Sequence, residues 1–199
     1  PQDFQAGAAA HLAAFVSQLG EMKFTSPLPP HARECFNSLV MGDVSVGKSS
    51  LLNALFGLHL AVGVGHTTND VSPVHQDGRG IIWDSAGVNR DLSLYDVNSL
   101  NFIYGVQLVA ILYSTSLCTV ATTVAIVNKI KGASSFVCVR TQCDRHSARD
   151  ALSLDQEMER DRQFLEEMGI VGVRLFKTAA EGPNRFDADR LRAVLLHAA

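Results

Sequence analysis

Three observations predict an α/β fold with a mostly parallel six-stranded sheet, helices on both of its faces and an additional N-terminal helix. The first is Gly42-Asp43-Val44-Ser45-Val46-Gly47-Lys48-Ser49, which matches G-x-x-x-x-G-K-[ST]. The second is its setting: Phe36, Leu39, Val40 and Met41 form a short apolar run before the loop, and Leu51, Leu52, Leu55 and Phe56 form a helical stripe after it. The third is the alternation that follows, in which short apolar runs and helical stripes take turns to the end of the chain.

The loop carries a chemical prediction. Two glycines allow a tight turn whose backbone N–H groups point inward, and the following helix aims its positive end at the same place. A polyphosphate fits there, cradled by Asp43 to Ser50. Within that cradle Val44, Ser45, Val46 and Gly47 supply backbone, Lys48 is expected to reach the β- and γ-phosphates, and Ser49 to hold Mg²⁺.

Along the chain, Phe4, Ala8, His11, Leu12, Phe15, Val16 and Leu19 recur at helical spacing, so residues 1–24 read as an amphipathic helix, a fragment of a helical region. His11 lies on the apolar face and is expected to be packed. Residues 25–34, with prolines at 27, 29 and 30, read as a linker, and residues 35–199 as the main domain. Strands are expected at Val71–His75, Arg79–Asp84, Gln107–Tyr113, Ser135–Thr141 and Gly172–Lys177. The tight 75–80 connection makes the first two antiparallel. Helices are expected up to Tyr104 and over Leu117–Lys131, Leu152–Met168 and Asp187–His197. Ligands of such sheets bind outside the carboxyl ends of the strands.

Composition narrows the classes. The chain has 199 residues, 47% of them hydrophobic, and a net charge of −3, so nothing in the bulk electrostatics favours nucleic acid or an anionic membrane. Its four cysteines form no C-x-x-C pair, and buried free thiols in a reducing, cytoplasmic setting are expected. The longest weakly charged stretch, Val106–Ile130, is interrupted by serines and threonines and reads as a buried strand plus helix rather than a membrane span. No secretory leader is expected. The first residue is Pro1, and flanking domains are expected.

Other strand ends complete a constellation. Gly80-Ile81-Ile82-Trp83 leads into Asp84-Ser85-Ala86-Gly87, a D-x-x-G arrangement. Asp84 would approach Mg²⁺, usually through a water, and the Gly87 N–H would sense the γ-phosphate. Phe136-Val137-Cys138-Val139-Arg140 leads into Thr141-Gln142-Cys143-Asp144, which looks like the [NT]-K-x-D guanine motif of GTPases with glutamine in place of lysine. A carboxylate accepts from guanine N1–H and the 2-amino group, and adenine offers no such donor pair, so Asp144 selects the base. Thr178-Ala179-Ala180 falls where a fifth nucleotide loop would lie. The metal-binding threonine of the effector loop is Thr67 or Thr68; the Thr-Thr-Asn-Asp run resembles the paired threonines of Era-like GTPases, which favours Thr68. Val88 stands where Ras-like enzymes carry glutamine, so another group must position water and intrinsic turnover is expected to be slow. His66 and Arg90 lie in the same loops; His66 is a candidate to orient water near the γ-phosphate and Arg90 to act in trans, and for each a merely solvated side chain is the more ordinary reading.

Together these residues resemble the immunity-related GTPases, near the Era and septin branch. Ile81-Ile82-Trp83-Asp84-Ser85-Ala86-Gly87 is similar to that family's V-F-W-D-L-P-G, Val139-Arg140-Thr141-Gln142-Cys143-Asp144 to its V-R-T-K-V-D, and Phe186-Asp187 to its Y-D-F helix start. Lys48 resembles the subgroup with G-K-S. The resemblance implies a Ras-like G domain that binds GTP and GDP with Mg²⁺, hydrolyses GTP, forms a GTP-dependent homodimer and associates peripherally with an intracellular membrane. Two rival readings are a very slow or non-hydrolysing nucleotide-dependent scaffold and an Era-like RNA-associated factor; the acidic balance disfavours the latter.

Overall fold

The computed structural model describes residues 2–62, 71–78, 80–85, 96–146, 152–181 and 185–196, with side chains from residue 10 onward. Six strands, β1 (Phe36–Gly42), β2 (Ser72–Gln76), β3 (Gly80–Asp84), β4 (Leu108–Tyr113), β5 (Phe136–Arg140) and β6 (Arg174–Lys177), form one sheet in the order β2-β3-β1-β4-β5-β6. Every pairing is parallel except β2 with β3. Because β1, β3, β4, β5 and β6 run the same way, Gly42, Asp84, Tyr113, Arg140 and Lys177 all end at one edge. The expected fold class is the one observed.

Helices α1 (Gln2–Leu19), α2 (Pro30–Arg33), α3 (Lys48–Phe56), α4 (Val97–Gly105), α5 (Ala121–Lys131), α6 (Leu154–Glu167) and α7 (Ala188–Leu196) cover the sheet. Alternate residues of the strands face opposite ways and feed two cores. Leu39, Met41, Ile81, Trp83, Val109, Ile111, Phe136 and Cys138 join Leu100, Val124, Val127 and Leu165 of α4, α5 and α6 on one side. Val40, Ile82, Ala110, Leu112, Val137 and Val139 join Leu51, Leu52, Leu191 and Leu195 of α3 and α7 on the other. The central strands are buried on both faces, which is why they read as unbroken apolar runs. No described helix is long and apolar enough to cross a membrane.

Several local expectations change. The stretch 25–34, read as a linker, packs on the sheet: Leu28 and Ala32 are core residues, Thr25 N–H donates to Asn101 Oδ1 at 2.9 Å, and Pro30 opens α2 from the first-turn position that suits proline. Helix α1 lies against α5, with Leu19 in the first core, and His11 is exposed rather than packed. The helix expected from Leu117 begins as a 3₁₀ turn over Leu117–Val120. The Leu117 N–H is taken by Asp161 Oδ1 at 2.9 Å, and Val120 leaves helical dihedrals before α5 starts.

Two buried polar groups tie the sheet to its surroundings. Asn37, fully buried in β1, donates through Nδ2 to the carbonyls of Ala32 and Cys35, each at 2.7 Å, and accepts from Trp83 Nε1 at 2.8 Å. It thus fixes β3 one residue before Asp84. Asp161 on α6 accepts from Tyr113 Oη at 2.8 Å and from Arg140 Nη1 at 3.4 Å, and Arg140 also pairs with Glu157. Burial is the largest influence on Asp161 and holds its carboxyl above the ordinary range, while the Leu117 N–H, Tyr113 and Arg140 pull the other way. All four cysteines are free; Cys138 and Cys143 are buried, and burial pushes the Cys143 thiol up to about 11.

Candidate functional site

The phosphate loop leaves β1 at Gly42, which the sheet itself demands. Gly42 pairs with Leu112 of β4, and a Cβ at this position would lie 2.3 Å from the Leu112 carbonyl oxygen. At the other end Gly47 adopts φ 87°, a left-handed conformation that favours glycine, and hands the chain to α3. No side chain caps α3, so its first N–H groups remain available to an anion at the loop. Ser45 is also left-handed, at φ 64°, and exposed.

Lys48 folds back over this loop, with Nζ 3.5 Å from the Gly42 carbonyl. Burial lowers its pKa from the ordinary lysine value, and the nearby carboxylates of Asp84 and then Asp43 oppose that shift. A partly desolvated ammonium flanked by acids is a cation suited to a phosphate. Asp84 itself is 2% exposed at the end of β3, where the Ser85 N–H donates to the Val40 carbonyl at 3.1 Å and locks β3 beside β1. Ser49 and Ser50 lie in the first turn of α3 and are half-buried.

The turn after β5 closes on the phosphate loop directly. Thr141 Oγ1 donates to the Val46 carbonyl at 2.5 Å, and Gln142 Nε2 donates to the Ser45 carbonyl at 3.1 Å. Asp144 is exposed beside them, at a cleft also lined by Gly47, Ser50, Leu51, Thr141, Gln142 and Ala180. The turn after β6 is tied in as well: the Thr178 N–H donates to the Arg140 carbonyl at 2.8 Å, Thr178 Oγ1 donates to the same oxygen, and the Cys143 N–H donates to the Thr178 carbonyl. Thr178 and Ala179 are therefore buried, with the Thr178 hydroxyl turned into the structure.

Of the residues expected from sequence, Asp43, Val44, Ser45, Val46, Gly47, Lys48, Ser49, Ser50, Asp84, Thr141, Gln142 and Asp144 gather at one edge. Thr67, Thr68, Gly87, Val88, His66 and Arg90 lie outside the described residues. Sequence reasoning passed over Arg140, Asp161 and Arg145. Asp161 did leave a signal: it falls in the Leu154, Met158, Leu165, Met168 stripe of α6, where a charge is out of place. A wider cleft of about 350 Å³ lies between α6 and β6. Two of its arginines already pair with near neighbours in the chain, Arg162 with Glu159 on α6 and Arg190 with Asp187 just before α7, and it sits apart from the strand ends, so we assign it no nucleotide role.

A parallel sheet that presents a phosphate loop, a buried aspartate and a T-x-x-D turn at one edge defines a P-loop GTPase domain. The chain belongs to the 50S ribosome-binding GTPase family, whose model matches residues 37–142, more than half of the 199. Guanine nucleotide is accordingly its ligand class. Among solved structures, the chain is similar to a bacterial selenocysteine-specific elongation factor, EF-Sec, at 16% identity and TM-score 0.55, covering 79% of this chain and 27% of that one. It is also similar to a variant of Aquifex aeolicus Era bound to GDP·AlF4⁻, at 15% identity and TM-score 0.56, covering 80% of this chain and 55% of that one. The chain thus spans about a quarter and about half of these two proteins, and at such identities the likeness is one of fold. A search of curated proteins finds no significant match.

Proposed function

We propose that this chain is a switch that binds GTP with Mg²⁺, hydrolyses it slowly to GDP and phosphate, and self-associates through its nucleotide face. The observation that carries the reading is the direct closure of the T-Q-C-D turn on the phosphate loop, through Thr141 to Val46 and Gln142 to Ser45. Base and phosphates of one nucleotide are then addressed by two loops that share hydrogen bonds. Lys48 holds the phosphates and Asp144 reads the base edge. Ser49 and Asp84 suit a hard cation, because they offer a hydroxyl and a buried carboxylate at the same loop edge as the uncapped start of α3. The metal, when bound, would neutralise charge on the phosphate oxygens. Thr68 and Gly87 complete the assignment as groups that sense the γ-phosphate, and the buried Thr178–Ala179 turn as the support behind Ala180 at the base site.

Asp144→Asn tests the base assignment. An amide donates where the carboxylate only accepted, so preference should move from GTP towards XTP. Competition of GTP and XTP against a fluorescent guanine nucleotide measures it, and an unchanged preference would remove Asp144 from the base site.

Within the family, the W-D-S-A-G, V-R-T-Q-C-D and F-D stretches support kinship with the immunity-related branch, and with it the GTP-dependent homodimer and a cytoplasmic protein peripheral to an internal membrane. Turnover per molecule should rise with protein concentration if the nucleotide faces meet. A rate that stays flat, measured as phosphate release across a dilution series, favours instead a slow nucleotide-dependent scaffold, the reading that Val88 supports. An RNA partner, as an Era-like role would require, fits poorly with a net charge of −3.

A further inference from the structure

We propose that Arg145, held in place by Gln142, lies against the face of the guanine base and supplies the cation of the base site. This deepens the guanine-nucleotide reading above and rests on it.

The argument starts from Gln142. Its backbone is left-handed at φ 57°, a conformation that costs a non-glycine residue on the order of 1 kcal/mol and persists only where the surroundings fix it. Both ends of its amide are engaged. Nε2 donates to the Ser45 carbonyl at 3.1 Å, and Oε1 accepts from Arg145 Nη1 at 2.8 Å. A carbonyl at one end and a guanidinium at the other admit a single orientation of the amide. Gln142 is thus a bridge from the phosphate loop to Arg145, and it carries no charge of its own.

Arg145 is exposed and lines the same cleft as Asp144 and Gly47. One of its nitrogens is spoken for, which orients the guanidinium plane and leaves the rest of it at the rim. A guanine whose N1–H and 2-amino group reach Asp144 must enter between these groups. A guanidinium is planar, weakly hydrated and stacks on aromatic faces, so the Gln142 amide and the Arg145 plane together offer the base a flat, cationic side. A π-face is common to every purine, so Arg145 adds affinity while Asp144 keeps the discrimination.

The test uses fluorescent GDP and GTP with the full chain. Arg145→Ala should weaken both nucleotides by about twofold to thirtyfold, the range of an exposed to a desolvated cation–π contact, and leave the preference for GDP over ADP intact. The melting temperature without nucleotide should not move, because Arg145 is exposed. Adding Gln142→Lys to Arg145→Ala should recover most of the lost affinity, since an ammonium then returns on a stem anchored over the same loop. Unchanged GDP affinity in Arg145→Ala overturns this proposal while leaving the guanine assignment standing, and so does a loss of the GDP-over-ADP preference, which would make Arg145 an edge reader. Wild-type protein that binds GDP no better than ADP overturns the guanine assignment and this proposal with it.

Discussion

Lys48→Ala is expected to weaken GTP and GDP binding by roughly thirtyfold to several thousandfold, the cost of about 2–5 kcal/mol for truncating one member of a desolvated charge pair. The ammonium sits over the phosphate loop, partly out of water, and no other lysine is placed there among the described residues. Its titration gives the effect a pH signature. Burial lowers the Lys48 pKa, so without nucleotide the folded protein binds fewer protons than the unfolded chain between that lowered value and the ordinary value of about 10.4. Stability of the nucleotide-free protein should therefore rise with pH through that window. A bound phosphate favours the charged form and draws the pKa back up, so nucleotide affinity should fall as pH rises through the same window. Titrations of fluorescent GDP from neutral to alkaline pH would show the slope in wild type and its absence in Lys48→Ala. Parallel slopes in the two proteins would mean that Lys48 is not the group that titrates.

Arg140→Met is expected to be the most destabilising single change away from the nucleotide. It leaves Asp161, with a side chain 4% exposed, without its buried cation, and breaking such a pair costs about 3–5 kcal/mol. For a chain of this size that is a fall in melting temperature of roughly 6–20 °C. The sign of the pH dependence follows from Asp161. Its carboxyl is already held high by burial and is pulled down in part by Arg140, so removing the guanidinium raises it further. The folded variant then keeps a proton that the unfolded chain releases above about 3.9. That stability is present in acid and is lost as pH rises through the raised value. The deficit against wild type should accordingly be smaller in urea unfolding at mildly acidic pH than at mildly alkaline pH. Equal deficits at both would show that Asp161 does not sense Arg140.

Particular residues show why parts of this protein can be read from its sequence and others cannot. The phosphate loop, Asp84 and Asp144 were legible because each sits at the end of an apolar run, and strand ends gather at one edge whenever strands and helices alternate. The division of strand residues between two cores follows from the period of two. The burial of Leu28 and Ala32 is not readable from residues 25–34, because three prolines exclude a long helix but say nothing about burial. The 3₁₀ turn at Leu117 depends on a carboxylate 44 residues away on α6, beyond the reach of any local pattern.

The sequence by itself determined the sheet, its direction, the loop that takes phosphate and the carboxylates that flank it, because those depend on periodicity and on short motifs whose spacing is fixed by backbone geometry. Only the tertiary structure decided how the loops cohere. That Thr141 and Gln142 reach Val46 and Ser45, that Thr178 turns inward onto Arg140, and that Arg145 is borne by an uncharged glutamine are all contacts between distant segments. Side-chain hydrogen bonds of that kind leave no period in the chain, since their partners are chosen by where the sheet brings the strand ends together.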